Sequence, residues 1–208
     1  MEQIVKCSSV SSENIKNWKT LFIGDKSNWS YQAGCFIQSC FPNIDLLFWE
    51  RGDAIVKLID TWSGEQIISF KSDLILPQQI LDRTYIHGIN FHPAPPIYRG
   101  IGGYNYALLN KDKHFGVTCH HMVKEIDFGQ IIETNYFPIL PDETASSLKD
   151  RSGYFCLKLL QKIVEKYLLT DVDLPVSQSA WGERLYTTKE LNRLRETTNS
   201  LLDPNWLR

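Results

Sequence analysis

Short runs of β-branched and aromatic residues recur along the first half of this chain, at Thr20–Gly24 (TLFIG), Ile44–Trp49 (IDLLFW), Gln66–Phe70 (QIISF) and Gly88–Phe91 (GINF), each bounded by turn-forming residues. These runs are apolar at successive rather than alternate positions, so strands made from them must be buried on both faces. The stretches between them, Tyr31–Phe41, Ala54–Asp60 and Pro77–Leu81, carry apolar residues at helical spacing. Strands alternating with short helices predict an α/β fold with a mostly parallel central sheet flanked by helices. Ligands of such sheets gather at the carboxyl ends of the strands, so the residues that close each run are where chemistry is expected.

Further along, Tyr104–Leu109 reads as a helix entered through the glycines of GIGG, and Phe115–Met122 and Gly129–Phe137 as two more strands. The longest helical pattern follows Asp142, a predicted N-cap. It places Leu148, Cys156, Leu159, Leu160, Ile163, Val164 and Tyr167 on one face, which is expected to pack on the sheet. Residues 171–208 are more polar and hold a short helical piece near Lys189–Glu196. They read as a C-terminal extension, packed on the core or on a partner chain, of a catalytic domain spanning residues 1–170.

Composition narrows the function. A chain of 208 residues, 43% hydrophobic and 22% charged, can bury a core without staples. The net charge of −2 provides no basic field for a phosphate backbone, so nucleic acid is not expected as a partner. No apolar run reaches the length of a membrane span, and the first residues lack the apolar stretch of a secretion signal, so a cytoplasmic location is expected. The odd count of five cysteines, without C-x-x-C, predicts reduced and mostly buried thiols.

Chemistry-bearing residues concentrate in Gly88–Ile132, GINFHPAPPIYRGIGGYNYALLNKDKHFGVTCHHMVKEIDFGQII. A strand closes on Asn90 and His92, and Pro93, Pro95 and Pro96 stiffen its exit. Asp127 follows in a loop between two strands. An amide donor, an imidazole and a carboxylate can together polarise a carbonyl, move a proton and orient the imidazole.

The ordered set N-x-H-P, PP-x-Y-R-G, G-V-T-x-H-x-M and D-x-G-x-I-I, with LILP at Leu74–Pro77 upstream, resembles the 10-formyltetrahydrofolate-dependent formyltransferases, most of all those acting on nucleotide-linked amino sugars. The resemblance implies a Rossmann-like formyltransferase fold and catalytic residues Asn90, His92 and Asp127. It implies a folate pocket at Leu74, Ile75, Leu76, Glu125, Ile126 and Gly129, and an acceptor entrance near Tyr98, Arg99, Gly102 and Gly103. The formyl donor is then 10-formyltetrahydrofolate, with no metal, and the acceptor a nucleotide-linked amino sugar; a homodimer is compatible.

Plainer roles exist for several of these residues. Arg99 either meets a phosphate of the acceptor or pairs with a surface acid, and the glycines either admit ligand or only permit a turn. Adjacent strand residues point to opposite faces, so His120 and His121 do not share an ion; His120 is expected to buttress Asp127. Trp29, Trp49, Trp62 and Trp181 are read as core.

Three acceptor classes compete. Methionyl-tRNA formyltransferases carry a further domain, for which the 76 residues after Ile132 are not expected to leave room. Glycinamide ribonucleotide formyltransferases open on a glycine-rich loop, where this chain has GDKSNWSYQAG, and their H-P-S-L-L-P is HPAPP here. An amino sugar is the favoured acceptor, since the proline-rich segment and the later YTTKELNRL resemble the sugar enzymes. A folate-binding hydrolase or sensor that lacks an amine acceptor is the alternative from another class.

Overall fold

The computed structural model describes residues 17–54, 57–170 and 172–199. The segment through Ile15, with Cys7, lies outside them. Six strands form the central sheet, β1 (Thr20–Gly24), β2 (Ile44–Phe48), β3 (Gly64–Phe70), β4 (Thr84–His92), β6 (His114–His121) and β7 (Ile131–Pro138), in the order β2-β1-β3-β4-β6-β7. The pairs from β2 to β4 are parallel, whereas β4–β6 and β6–β7 are antiparallel. A separate two-stranded ribbon joins β5 (Arg99–Gly100) to β8 (Leu185–Tyr186).

The expected two-sided burial is present in β1 and β3 but not in the edge strand β2, where only Leu47 is buried and Leu46 is exposed. Leu21 and Ile23 of β1 enter one core cluster with Ile67, Ile59 and Trp62, while Phe22 between them enters the other with Ile68, Phe36 and Leu160. The larger cluster is closed by the helices α1 (Asn28–Cys40), α4 (Gly103–Leu109) and α5 (Ala145–Ile163), the smaller by the single turns α2 (Leu58–Thr61) and α3 (Gln78–Leu81). α6 (Thr188–Asn199) lies in the extension. Among the described residues no helix is long and apolar enough to cross a membrane.

Several boundaries differ from the sequence reading. The helix expected over Ala54–Asp60 is the one turn Leu58–Thr61, with residues 55–56 outside the described set. β4 begins at Thr84, four residues early, where Tyr85 and Ile86 lie exposed and carry no core pattern. The N-cap of α5 is Thr144, not Asp142: its hydroxyl accepts from Ser147 N at 3.1 Å while Ser147 Oγ accepts from Thr144 N at 2.9 Å. The apolar face read for α5 is buried throughout, and its last turn, Val164–Leu168, is wound as a π-helix. Of the thiols, Cys40, Cys119 and Cys156 are buried but Cys35 is exposed, on the outer face of α1.

Two substitutions separate the observed cap from the predicted one. Thr144→Ala is expected to cost about 1 kcal/mol, whereas Asp142→Ala should stay within about 0.5 kcal/mol. The fully buried Leu160, changed to Ala, is expected to cost roughly 2–5 kcal/mol. Urea unfolding of the three variants checks these values.

Candidate active site

β4 is the strand on which the sheet changes direction. Its carboxyl end pairs with β6 so that Asn90 lies opposite His120 and His92 opposite Thr118. The proline-stiffened exit is tied down at once, with Thr118 Oγ1 donating to Ala94 O at 2.8 Å and Tyr98 N to Pro95 O at 2.9 Å. Asn90 and His92 are thereby fixed at the carboxyl edge.

Asp127 arrives from the loop between β6 and β7 with φ of +44°. A left-handed backbone is costly for a residue with a side chain, though Asp tolerates it better than most. Contacts on every side hold it there. Asp127 Oδ2 accepts from Gly100 N at 2.9 Å and lies 3.3 Å from His92 Nδ1. Its Oδ1 accepts from Asn90 Nδ2 at 3.4 Å and lies 3.4 Å from His120 Nε2. Gly100 is required at its position: its φ is +83°, and a Cβ would stand 2.3 Å from Tyr186 O of the neighbouring ribbon strand.

Hydrogen-bond chemistry constrains the protons. His92 Nε2 donates to Tyr98 O at 2.8 Å, because a carbonyl can only accept, and Nδ1 faces a carboxylate. An imidazolium satisfies both partners; a neutral ring turns one lone pair toward an acceptor. His120 Nδ1 donates to His121 O at 2.8 Å, which leaves Nε2 to accept from Asn90 Nδ2 at 3.1 Å when the ring is neutral and to donate to Asp127 when it is charged. Burial pushes the Asp127 carboxyl up, but the charge of His92, the hydrogen bond and charge of His120 and the Gly100 amide outweigh it and bring it down to about 2.

A cavity of about 840 Å³ opens on this cluster. Leu74, Ile75, Leu76, Glu125 and Ile126 line it, as do Gly102, Gly103, Lys149 and Arg195. Among the described residues five buried side-chain N or O atoms lack a hydrogen-bond partner, and three of them, Trp49 Nε1, Asn90 Oδ1 and Asn105 Nδ2, belong to residues of this cavity wall.

Other expected site residues lie elsewhere. The Tyr98 side chain is 2% exposed, and its hydroxyl donates to the half-buried Asp112, so only its carbonyl faces the cluster. Among the described residues Arg99 pairs with no acid. Its guanidinium donates to three backbone carbonyls, Asp127 O at 2.8 Å, Ile126 O at 3.2 Å and Gly182 O at 3.3 Å, and lies 4.4 Å from the Phe128 ring centroid. It clamps the loop that bears Asp127 and does not line the cavity. Gly129 is also outside the wall: a Cβ there would fall 1.8 Å from His121 O, so the glycine serves close passage of two chain segments.

Two of the tryptophans read as core are site residues. Trp62 is buried in the smaller core, but Trp49 lines the cavity and Trp181 packs edge-on against His92 and His120. No periodicity in the sequence marks either one.

In a hydrophobically walled cleft, an amide, an imidazole and a carboxylate converging at a strand terminus can polarise a carbonyl and move a proton. Residues 49–163, more than half of the chain, match the family described as Formyl transferase, and the chain belongs to that family. Its fold is similar to a sugar N-formyltransferase from Shewanella sp. (TM-score 0.64, 16% identity, 85% of this chain and 79% of that one). It is also similar to HypX from Aquifex aeolicus in complex with tetrahydrofolic acid (TM-score 0.69, 17% identity, 90% of this chain and 32% of that one). An N-formyltransferase from Helicobacter canadensis, solved with folinic acid and dTDP-3-aminofucose, covers 80% of this chain and 72% of its own (TM-score 0.63, 18% identity). In sequence, methionyl-tRNA formyltransferase from Latilactobacillus sakei is 36% identical over 105 residues, 46% of this chain and 33% of that protein. The chain spans about a third of the length of the curated relatives it matches.

The depressed Asp127 carboxyl has a consequence for stability. A folded-state value near 2, against the ordinary 3.8, means that its contribution is complete above about pH 4 and is lost as pH falls toward 2. Asp127→Asn should therefore flatten the acid limb of stability by roughly 2 kcal/mol between pH 5 and pH 2, measured by urea unfolding across that range.

Proposed function

We propose that this chain transfers a formyl group from 10-formyltetrahydrofolate to the primary amine of a nucleotide-linked amino-dideoxy sugar, as a cytoplasmic enzyme whose catalytic unit is residues 1–170. The observation that carries the reading is the convergence of three groups on the wall of one cavity, where Asp127 accepts from Asn90 Nδ2 and lies 3.3 Å from His92 Nδ1. The cavity fits the donor where Leu74, Leu76, Leu81, Met122 and Ile126 supply apolar walls for a flat heterocycle. Complexes of fold neighbours with tetrahydrofolic acid and with folinic acid support the same donor class.

As the amine attacks the formyl carbon, negative charge grows on the formyl oxygen. Asn90 Nδ2 and the His92 imidazolium stabilise it by exchanging a hydrogen bond now made within the cluster for one to that oxygen. Asn90 Oδ1, buried and unpartnered, is an acceptor for an N–H of the incoming amine. Asp127 orients the His92 ring, and the hydrogen-bonded cluster relays the proton that the amine sheds. The carbon–nitrogen bond to the carrier then breaks, and the carrier nitrogen leaves with a proton from the cluster. With Arg99 engaged on carbonyls, Lys71 paired with Asp25 and Arg51 3.7 Å from Asp73, the wall offers Lys124, Lys149 and Arg195 to the acceptor's phosphates.

The acceptor is tested by supplying 10-formyltetrahydrofolate with a panel of nucleotide-linked amino sugars, with methionyl-tRNA, and with no acceptor, following tetrahydrofolate release. Release only with an amino sugar is expected. Release with methionyl-tRNA alone would move the acceptor to the class named by the sequence relatives, release without acceptor would make the chain a hydrolase, and binding without release a sensor. Asn90→Ala, His92→Ala and Asp127→Asn should each lower turnover by at least about 10²-fold. Turnover should fall at low pH, where the acceptor is an ammonium and cannot attack.

A further inference from the structure

Outside the cavity wall, one side chain touches both imidazoles and the loop that carries Asp127. The Trp181 ring centroid is 4.9 Å from that of His120 at 89° and 6.1 Å from that of His92 at 63°, both edge-on contacts. Its Nε1 donates to Gly129 O at 2.7 Å, two residues beyond Asp127 in the same loop. Asn90, His92, His120 and Asp127 all line the cavity, but Trp181 does not.

The segment that carries Trp181 is a fixed platform. Ser177 N donates to Ile131 O at 2.9 Å, Gly182 N to Pro96 O at 3.0 Å, and Ile101 N to Tyr186 O at 2.9 Å. Gly182 O accepts from Arg99, which also grips Ile126 O and Asp127 O. The indole and the Arg99 guanidinium thus hold the Asp127 loop from two directions, and only the indole also contacts the imidazoles. A rigid ring with two torsions, anchored by its own N–H, fixes neighbouring rings with little entropy left to lose. By covering them it also keeps water away, which strengthens the attraction between His92 and Asp127.

We propose that Trp181 is a positioning residue for the formyl-transfer centre: it seats His92 and His120 against Asp127 from behind without touching either substrate. This rests on the functional reading given above. Since the indole lies outside the cavity, Trp181→Ala should lower kcat about 10-fold while KM for donor and acceptor stays within about twofold. Trp181→Phe keeps a ring edge against the imidazoles and should recover most of the loss. Equal kcat in wild type and Trp181→Ala, a KM increase that matches the kcat loss, or equal defects in the Phe and Ala variants would each overturn the proposal.

An activity-independent measurement separates this proposal from the reaction itself. Nitrogen-15 shifts of the His92 and His120 rings, recorded at one pH in the full chain, should be displaced in Trp181→Ala, or in Trp181→Leu where the Ala variant does not fold, and should return most of the way to wild type in Trp181→Phe. Shifts in the Ala or Leu variant that coincide with wild type would refute the positioning role even if the chain proves to transfer no formyl group. Displaced shifts in a chain without transfer activity would uphold the role of Trp181 in holding the rings, while the functional reading fails.

Discussion

A carboxylate removed from water must find its partners inside the protein: Asp127 accepts from the Gly100 and Asn90 amides and lies 3.3 Å from His92 Nδ1 and 3.4 Å from His120 Nε2. The donors come from β4, β6 and the ribbon strand β5, so one charge ties together segments far apart in the chain. The arrangement demands an unusual backbone at Asp127, a glycine at position 100 and an arginine whose donors are spent on main-chain carbonyls. Each of these follows from satisfying the same buried charge, which is why the loop is restrained although it lies in no regular element.

The mixed sheet makes this convergence possible. In a purely parallel sheet the neighbour of β4 would present its own carboxyl end beside His92. β6 runs the other way, so it sets His120 beside Asn90 and stops at His121, opposite Ile89. Met122 N donates to Gly88 O at 2.7 Å, and the chain then has loop enough to bring Asp127 back over the end of β4 before β7 begins at Ile131. The reversal of one strand places a second imidazole and a carboxylate at the carboxyl edge used by parallel sheets.

Elements whose burial is one-dimensional in the sequence were legible there. β1 and β3 are read from uninterrupted apolar runs, and the face of α5 from spacing alone. The cap of α5 was not, because Asp142 and Thr144 are both good N-cap residues and the reciprocal partner is Ser147 rather than a Glu or Gln at that position. In the cleft, Asn90, His92 and Asp127 stand out by residue type and motif order. Arg99 and Tyr98 stand out equally, yet their partners are backbone carbonyls and a half-buried carboxylate, which carry no side-chain signature near them in sequence. Trp181 is 52 residues from the carbonyl it holds, and only the fold brings them together.

The distribution of unsatisfied polar atoms bears on what the cavity receives. A buried donor or acceptor without a partner costs about 1–3 kcal/mol, and folds rarely tolerate several in one place. Here Trp49 Nε1, Asn90 Oδ1 and Asn105 Nδ2, two donors and one acceptor, all belong to the wall of a single cavity, and Trp49 packs against the same apolar cluster as Leu74 and Leu76. An apolar ligand filling the whole space would leave these atoms unpaired, and a wholly polar one would waste the hydrophobic wall. The wall therefore suits an apolar body together with groups that both donate and accept hydrogen bonds. That combination is what a transfer between two unlike substrates demands of one cleft.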